Sequence, residues 1–241
     1  MWNAKTFEQR YSPKNVGEIV FAEERSESLI KQLISGARPF PVAEGKCGIL
    51  LYGIPGTGKS ALAKLLPDAM EMARANQPAG IDSMYVRVQP GNNGMNMLQK
   101  ISAAAELMPY QATQRYFVLD EVDNLNQQAM AMLKSVMNTP QCVFVMTTNH
   151  YSQIEAGVRS RSHCIPFMAA HDTKWLPLAR RMVTDAGLTG VTDQHLLNVI
   201  ATGKGSAREI LDAVISVIVH AQDLKVDAAK ELDLKGHTSV V

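Results

Sequence analysis

Gly53-Ile54-Pro55-Gly56-Thr57-Gly58-Lys59-Ser60 stands between an apolar run, Gly48-Ile-Leu-Leu-Tyr52, and a helix-forming one, Ser60-Ala-Leu-Ala-Lys-Leu-Leu66. Its spacing is G-x-x-x-x-G-K-[ST], and a chance match in a chain of this length is on the order of one in a hundred. A strand before the loop and a helix after it are the context that phosphate chemistry needs. Glycines let the loop curl until backbone N–H groups converge on an anion. The start of the following helix adds partial positive charge. Lys59 is thereby placed to reach the β- and γ-phosphates of a nucleoside triphosphate, and the Ser60 hydroxyl to ligate Mg²⁺. Pro55, Gly56, Thr57, Gly58 and Leu62 complete the expected nucleotide-contacting set. The bland alternative is an ordinary glycine turn.

Outward from this loop the chain alternates short apolar runs with longer amphipathic stretches. The runs at 47–52, 84–88, 116–119, 142–146 and 164–167 are rich in Val, Ile, Phe or Tyr, as strands buried on both faces are. Helical patterns lie at 24–35, 59–73, 95–106 and 127–138. Strand alternating with helix predicts an α/β fold, the doubly wound parallel sheet of a P-loop NTPase with helices on both faces. After residue 171 no strand-like run remains. Helices are expected at 173–186, 193–202 and 206–221, with Thr192, Gly187 and Gly203 marking ends. The reading is an α/β domain over residues 1–170, a small all-helical lid over 171–222, and a tail over 223–241 with one short helix at 226–232.

Two further runs end in polar residues where such a sheet binds its ligand, outside the carboxyl ends of the strands. In Tyr116-Phe-Val-Leu-Asp-Glu-Val-Asp123 the apolar run leads into carboxylates. Asp120 is the candidate to hold Mg²⁺ through water. Glu121 is the candidate to orient or deprotonate the attacking water. In Val143-Phe-Val-Met-Thr-Thr-Asn149 the run ends in hydroxyls and an amide. Asn149 is the candidate to fix that water. Taken singly, both endings read as solvated turns; their order after the glycine loop favours the site.

Composition removes several function classes. The net charge is +1, so no global field advertises nucleic acid and any such surface is a local patch. The three cysteines, Cys47, Cys142 and Cys164, lack zinc-type spacing, and an odd number suggests reduced thiols in a cytoplasm. The first residues lack the apolar run of an export signal, and no stretch is apolar enough to span a bilayer.

With these residues in place the chain resembles the clamp-loader group of AAA+ ATPases, the replication factor C and DNA polymerase III small subunits. The opening Arg10-Tyr-Ser-Pro-Lys-Asn-Val-Gly-Glu-Ile-Val20 is similar to the segment that wraps the adenine in that family, which makes Tyr11, Pro13 and Val20 candidates for the base pocket. The stretch at 154–167 resembles the one ending in Ser-Arg-Cys that carries the arginine finger. Arg161 falls on the finger and Arg159 is its rival. Gly205-Ser-Ala-Arg-Glu-Ile210 resembles the start of the sensor-2 helix, with Arg208 on the arginine. A guanidinium supplied in trans stabilises charge on the transferring phosphoryl group and is worth roughly 10³–10⁵ in rate. Ser162 stands where the family has cysteine, and Ser12 where it has arginine. The family also carries a helical collar after the lid. The chain stops short of one, so the expected oligomer is assembled by the ATPase and lid domains alone.

The resemblance implies an ATP-hydrolysing, magnesium-dependent oligomeric switch acting on DNA, a clamp or another replication or recombination protein. The loop Arg87-Val-Gln-Pro-Gly-Asn-Asn-Gly94, with Lys100 one helix on, is the candidate DNA contact; a solvated surface loop is the alternative. A ring that remodels a protein partner without DNA is the competing function, and an ATP-sensing scaffold a third. Methionines at 95, 97, 108, 130, 132 and 137 read as core or subunit packing, and the linker 74–82 as exposed.

Overall fold

The computed structural model describes residues 9–42, 45–90 and 94–236. The chain divides into two compact units. Pro13–Met168 form one, and the residues from Ala169 onward group with those before Pro13 as the other.

The first unit is built on five parallel strands: β1 (Gly48–Tyr52), β2 (Ser83–Arg87), β3 (Arg115–Asp120), β4 (Cys142–Thr148) and β5 (Ser162–Pro166). They lie side by side in the order β2-β3-β4-β1-β5, the doubly wound sheet that the apolar runs predict. Alternation along each strand separates two cores. Tyr116, Val118, Val143, Val145, Ile49 and Leu51 face helices α1 (Glu24–Ser35) and α2 (Lys59–Ala75), packing on Ile30, Leu33, Leu62, Leu66 and Met70. Phe117, Leu119, Phe144, Met146 and Leu50 face α3 (Met95–Ala105), α4 (Gln127–Val136) and α5 (Ala156–Ser160), meeting Leu98, Ile101, Leu133 and Val158. A period of two feeding both faces is why the runs read as continuous apolar sequence.

Two buried carboxylates brace the end of the sheet where the strands begin. Glu71 of α2 accepts from the Thr113 N–H (2.8 Å), the Thr113 hydroxyl (2.7 Å) and the Tyr116 hydroxyl (2.6 Å). Asp82 accepts backbone N–H groups from Tyr110, Gln111 and Ala112. The stretch 74–82, expected to be exposed, is therefore not so throughout: Ala79 and Asp82 are buried, because the carboxylate leaves water to pin residues 110–112. Of the methionines, Met130 and Met137 are core, whereas Met108 is exposed.

The second unit is helical: α6 (Asp172–Asp185), α7 (Asp193–Thr202) and α8 (Ala207–Gly236). His171 and Thr192 cap the first two, each accepting a backbone N–H from the first turn. Trp175, Met182, Leu196, Ile200, Ile210, Val214 and Ile218 are buried. Helix α8 runs on through residues 223–236 without interruption, longer than the helix to 221 and separate short segment that the pattern suggests. No helix among the described residues is long and apolar enough to cross a membrane.

Candidate nucleotide site

The loop between β1 and α2 takes conformations that side chains resist. Gly53 has φ 148°, and a Cβ there would lie 2.3 Å from the Phe167 carbonyl oxygen. Gly58 has φ 100° and caps α2 without a side-chain hydrogen bond. The first N–H groups of the helix are thus left for an anion. Lys59 lies at the loop's centre, buried, with Nζ donating to the carbonyls of Gly53 (2.9 Å) and Ile54 (2.6 Å). Burial pushes its ammonium down to about 8, against the opposing pull of Asp120, Asp123 and Glu121. The Thr57 hydroxyl closes the turn by donating to Ile54 O (3.1 Å). Leu62 is core, and Pro55 and Gly56 lie on the loop's exposed to half-buried side.

The sheet brings the second and third motifs to this loop. β4 pairs with β1 on one side and β3 on the other, aligning Thr148 with Tyr52 and Met146 with Leu119. Ser60 Oγ donates to Asp120 Oδ1 at 2.7 Å. The same oxygen accepts from Thr147 Oγ1 (2.5 Å), and Oδ2 accepts from the Tyr85 hydroxyl (2.9 Å). Glu121 is left-handed, φ 61° and ψ 51°, a backbone state costing about 1–3 kcal/mol. Its N–H donates to Thr147 Oγ1 (3.0 Å). Its carboxylate is held in a two-point pair by Arg87, Nη2 to Oε1 at 2.8 Å and Nε to Oε2 at 3.1 Å. Asn149 follows β4, half-buried. Beside it His150 Nδ1 meets Asp123 Oδ2 at 2.7 Å.

The donor set fits magnesium. Among the described residues no group of three or more His, Cys, Asp or Glu side chains could hold a metal. Mg²⁺, however, keeps waters and substrate phosphates in its shell and asks for only one or two protein ligands. A hydroxyl and a carboxylate already in register, Ser60 and Asp120, supply that.

The remaining candidates are placed as follows. Pro13 and Val20 are half-buried in the α/β unit. Tyr11 belongs to the helical unit, buried, its hydroxyl donating to Asp185 Oδ2 (2.9 Å), with the Arg10 and Arg181 guanidinium groups 5.8 and 5.6 Å from its ring. Desolvation and the Asp185 carboxylate push its phenol up to about 12. Arg161 follows α5, with Nε donating to Asn138 Oδ1 (2.9 Å) and Nη1 to Gly157 O (3.1 Å). Arg159 lies 5.1 Å from the Tyr151 ring, which in turn lies 4.3 Å from that of Tyr52. Arg208 is exposed in the first turn of α8 in the helical unit. Of the proposed DNA loop, residues 91–93 lie outside the described residues; Lys100 is exposed, and Arg87 is the partner of Glu121. Tyr85 and the Arg87–Glu121 pair were not legible beforehand, since nothing local marks one edge-strand tyrosine or assigns an arginine its partner. Thr147 had a signal, its place in the polar ending of β4.

A glycine loop opening a helix, beside a strand-end aspartate and glutamate on a five-stranded parallel sheet, defines a P-loop nucleotide-binding protein. Residues 49–168 match the model of the ATPase family associated with various cellular activities (AAA). That segment is an AAA-type domain. It is 25% identical over 250 residues to DNA polymerase III subunit gamma/tau of Mycobacterium bovis, covering 96% of this chain and 42% of that one. It is 24% identical over 212 residues to Replication factor C small subunit 2 of Pyrobaculum islandicum, covering 86% of this chain and 61% of the relative. The chain thus spans less than two thirds of these relatives' length. In fold it is similar to a point mutant of Thermotoga maritima RuvB, with TM-score 0.69 at 14% identity, covering 89% of this chain and 68% of that one.

Proposed function

We propose that the protein hydrolyses ATP with magnesium and works as an oligomeric switch on DNA or a DNA-bound protein. The observation that carries this is the 2.7 Å contact between Ser60 and Asp120 across sixty residues of sequence. It joins the phosphate loop to the strand-end carboxylates, so one metal–triphosphate spans both. Lys59 bears on the β- and γ-phosphates, and Ser60 and Asp120 hold the metal, which when bound neutralises charge on the phosphate oxygens. Glu121 polarises the attacking water and Asn149 orients it. Arg161 serves a neighbouring subunit's nucleotide, with Arg159 as its rival, and Arg208 answers its own. Pro13 and Val20, with Tyr11, are the candidate base contacts.

The Arg87 pair gives this reading a control point. While the guanidinium grips the Glu121 carboxylate, that carboxylate does not face water as a free base. A phosphate that draws Arg87 away releases it. DNA backbone at the loop after β2 is such a phosphate source. The test is ATP turnover with and without single-stranded, duplex and primed DNA. Stimulation supports the reading, and a rate indifferent to all three overturns its DNA part.

One surface favours the second reading, a protein partner. Ile81, Leu107, Met108 and Tyr110 are 74, 62, 72 and 85% exposed. Ile81 adjoins the buried Asp82, whose carboxylate holds the backbone of residues 110–112, while Arg115 donates to the carbonyls of Leu107 and Met108. Large apolar side chains on a braced backbone suit docking more than solvation.

A further inference from the structure

Asp120 is 4% exposed and accepts three side-chain hydroxyls: Ser60 and Thr147 on one oxygen, Tyr85 on the other. Two come from elements that any such site requires, the loop helix and the central strand β4. The third comes from β2, the outermost strand on that side of the sheet, where Tyr85 is 42% exposed and nothing in the packing demands a phenol. The Lys64 ammonium lies 4.2 Å from the centre of its ring. Lys64 stands one turn along α2 from Ser60, so the ring lies beside the helix that carries the candidate metal-binding hydroxyl.

A carboxylate that meets magnesium through water must present its lone pairs in one orientation, because Mg²⁺ demands near-ideal octahedral geometry and gives up its waters reluctantly. Ser60 and Thr147 both act on Oδ1; a donor on Oδ2 gives the carboxylate a second anchor against rotation about Cβ–Cγ and decides which lone pair of that oxygen stays open. We propose that Tyr85 is a positioning residue for the metal, its hydroxyl fixing the outer oxygen of Asp120 so that the carboxylate meets the magnesium water shell in a single orientation. This rests on the reading of Ser60 and Asp120 as the magnesium–nucleotide site.

The test uses the full chain and a fluorescent ATP analogue, titrated first in chelator and then across magnesium concentrations. Tyr85→Phe keeps the ring, its exposure and the contact with Lys64. Its binding in chelator should equal that of the parent, while the magnesium needed for half-maximal gain in affinity should rise about 10-fold, the usual cost of losing an outer partner of a metal ligand. The thermal midpoint without metal should stay put. Lys64→Met, which keeps the hydroxyl, should leave the magnesium requirement within about 2-fold of the parent on the same reasoning. An unchanged requirement in Tyr85→Phe overturns the proposal. So does an equal shift in Lys64→Met, which would assign the effect to the ring rather than the hydroxyl. A parent protein whose nucleotide affinity ignores magnesium would instead overturn the underlying site.

Discussion

Glu121 is the residue at which conformation, charge and chemistry meet. Its left-handed backbone aims the side chain away from the line of β3, and the N–H bond to Thr147 offsets part of the strain. Such strain beside the phosphate loop fits the water-polarising role proposed for this side chain. Replacing Glu121 by Gln removes the charge and leaves the shape. ATP binding should persist while turnover falls by about 10²–10⁴-fold, the range expected for losing a base; single-turnover hydrolysis beside an equilibrium binding assay checks both. Arg87→Ala frees the same carboxylate. DNA-independent turnover should rise at least about 5-fold and the stimulation by DNA shrink to match, as coupling through one contact requires. Steady-state rates with and without DNA decide it. The glutamate itself was legible in sequence, because an apolar run ending in two acids after a glycine loop has few other readings. Its partner was not: Arg87 precedes it by 34 positions, and only the parallel pairing of β2 with β3 brings them together.

At the level of elements, legibility followed burial. Strands β1, β3 and β4 read clearly because their interior positions face one of two cores, whereas the outer β2 leaves Tyr85 exposed and reads from its β-forming residues alone. Helix α5 was missed because five residues are too few to display a helical period. The end of the 74–82 stretch was misread because a polar sequence conceals a buried acid. The edge strand β5 makes a pH prediction. Burial, then the positive Lys46 and Arg38, push His163 below its ordinary value of 6.5, while its ring packs edge-on to Phe40 at 5.6 Å. Below the ordinary value the unfolded chain holds more protons than the folded one, so stability falls as pH drops through it. Between about pH 7 and 5.5 the parent should lose more stability than His163→Gln, read as the shift in denaturant midpoint. The loop offers a second test. Alanine at Gly53 must occupy φ 148° and meet the Phe167 carbonyl. It should cost about 1–3 kcal/mol, measured by denaturant unfolding without nucleotide, and weaken ATP binding besides.

For the whole molecule, the proposed assembly is what a single chain conceals. Arg161 is tied to Asn138 and Gly157 of its own unit, and its proposed target belongs to a neighbour, so no periodicity or spacing in one sequence points to it. Only resemblance supplied the role. Arg161→Ala should leave each chain able to bind ATP yet reduce turnover by roughly 10³-fold or more. Mixing it with excess Lys59→Ala, which lacks a working loop but retains the finger, should restore part of the rate. Wild-type turnover by the arginine variant alone would transfer the role to Arg159 or point to a monomeric mechanism.

The chain leaves the α/β unit at Met168, one residue past Phe167. Phe167 gives its N–H to Tyr52 at 2.7 Å and crowds its carbonyl against Gly53. The departure point is therefore anchored at the root of the loop that would cradle phosphate. Any displacement of that loop would meet Phe167 before any other part of the exit. The segment that leaves the α/β unit thus begins beside a residue in contact with the glycine loop.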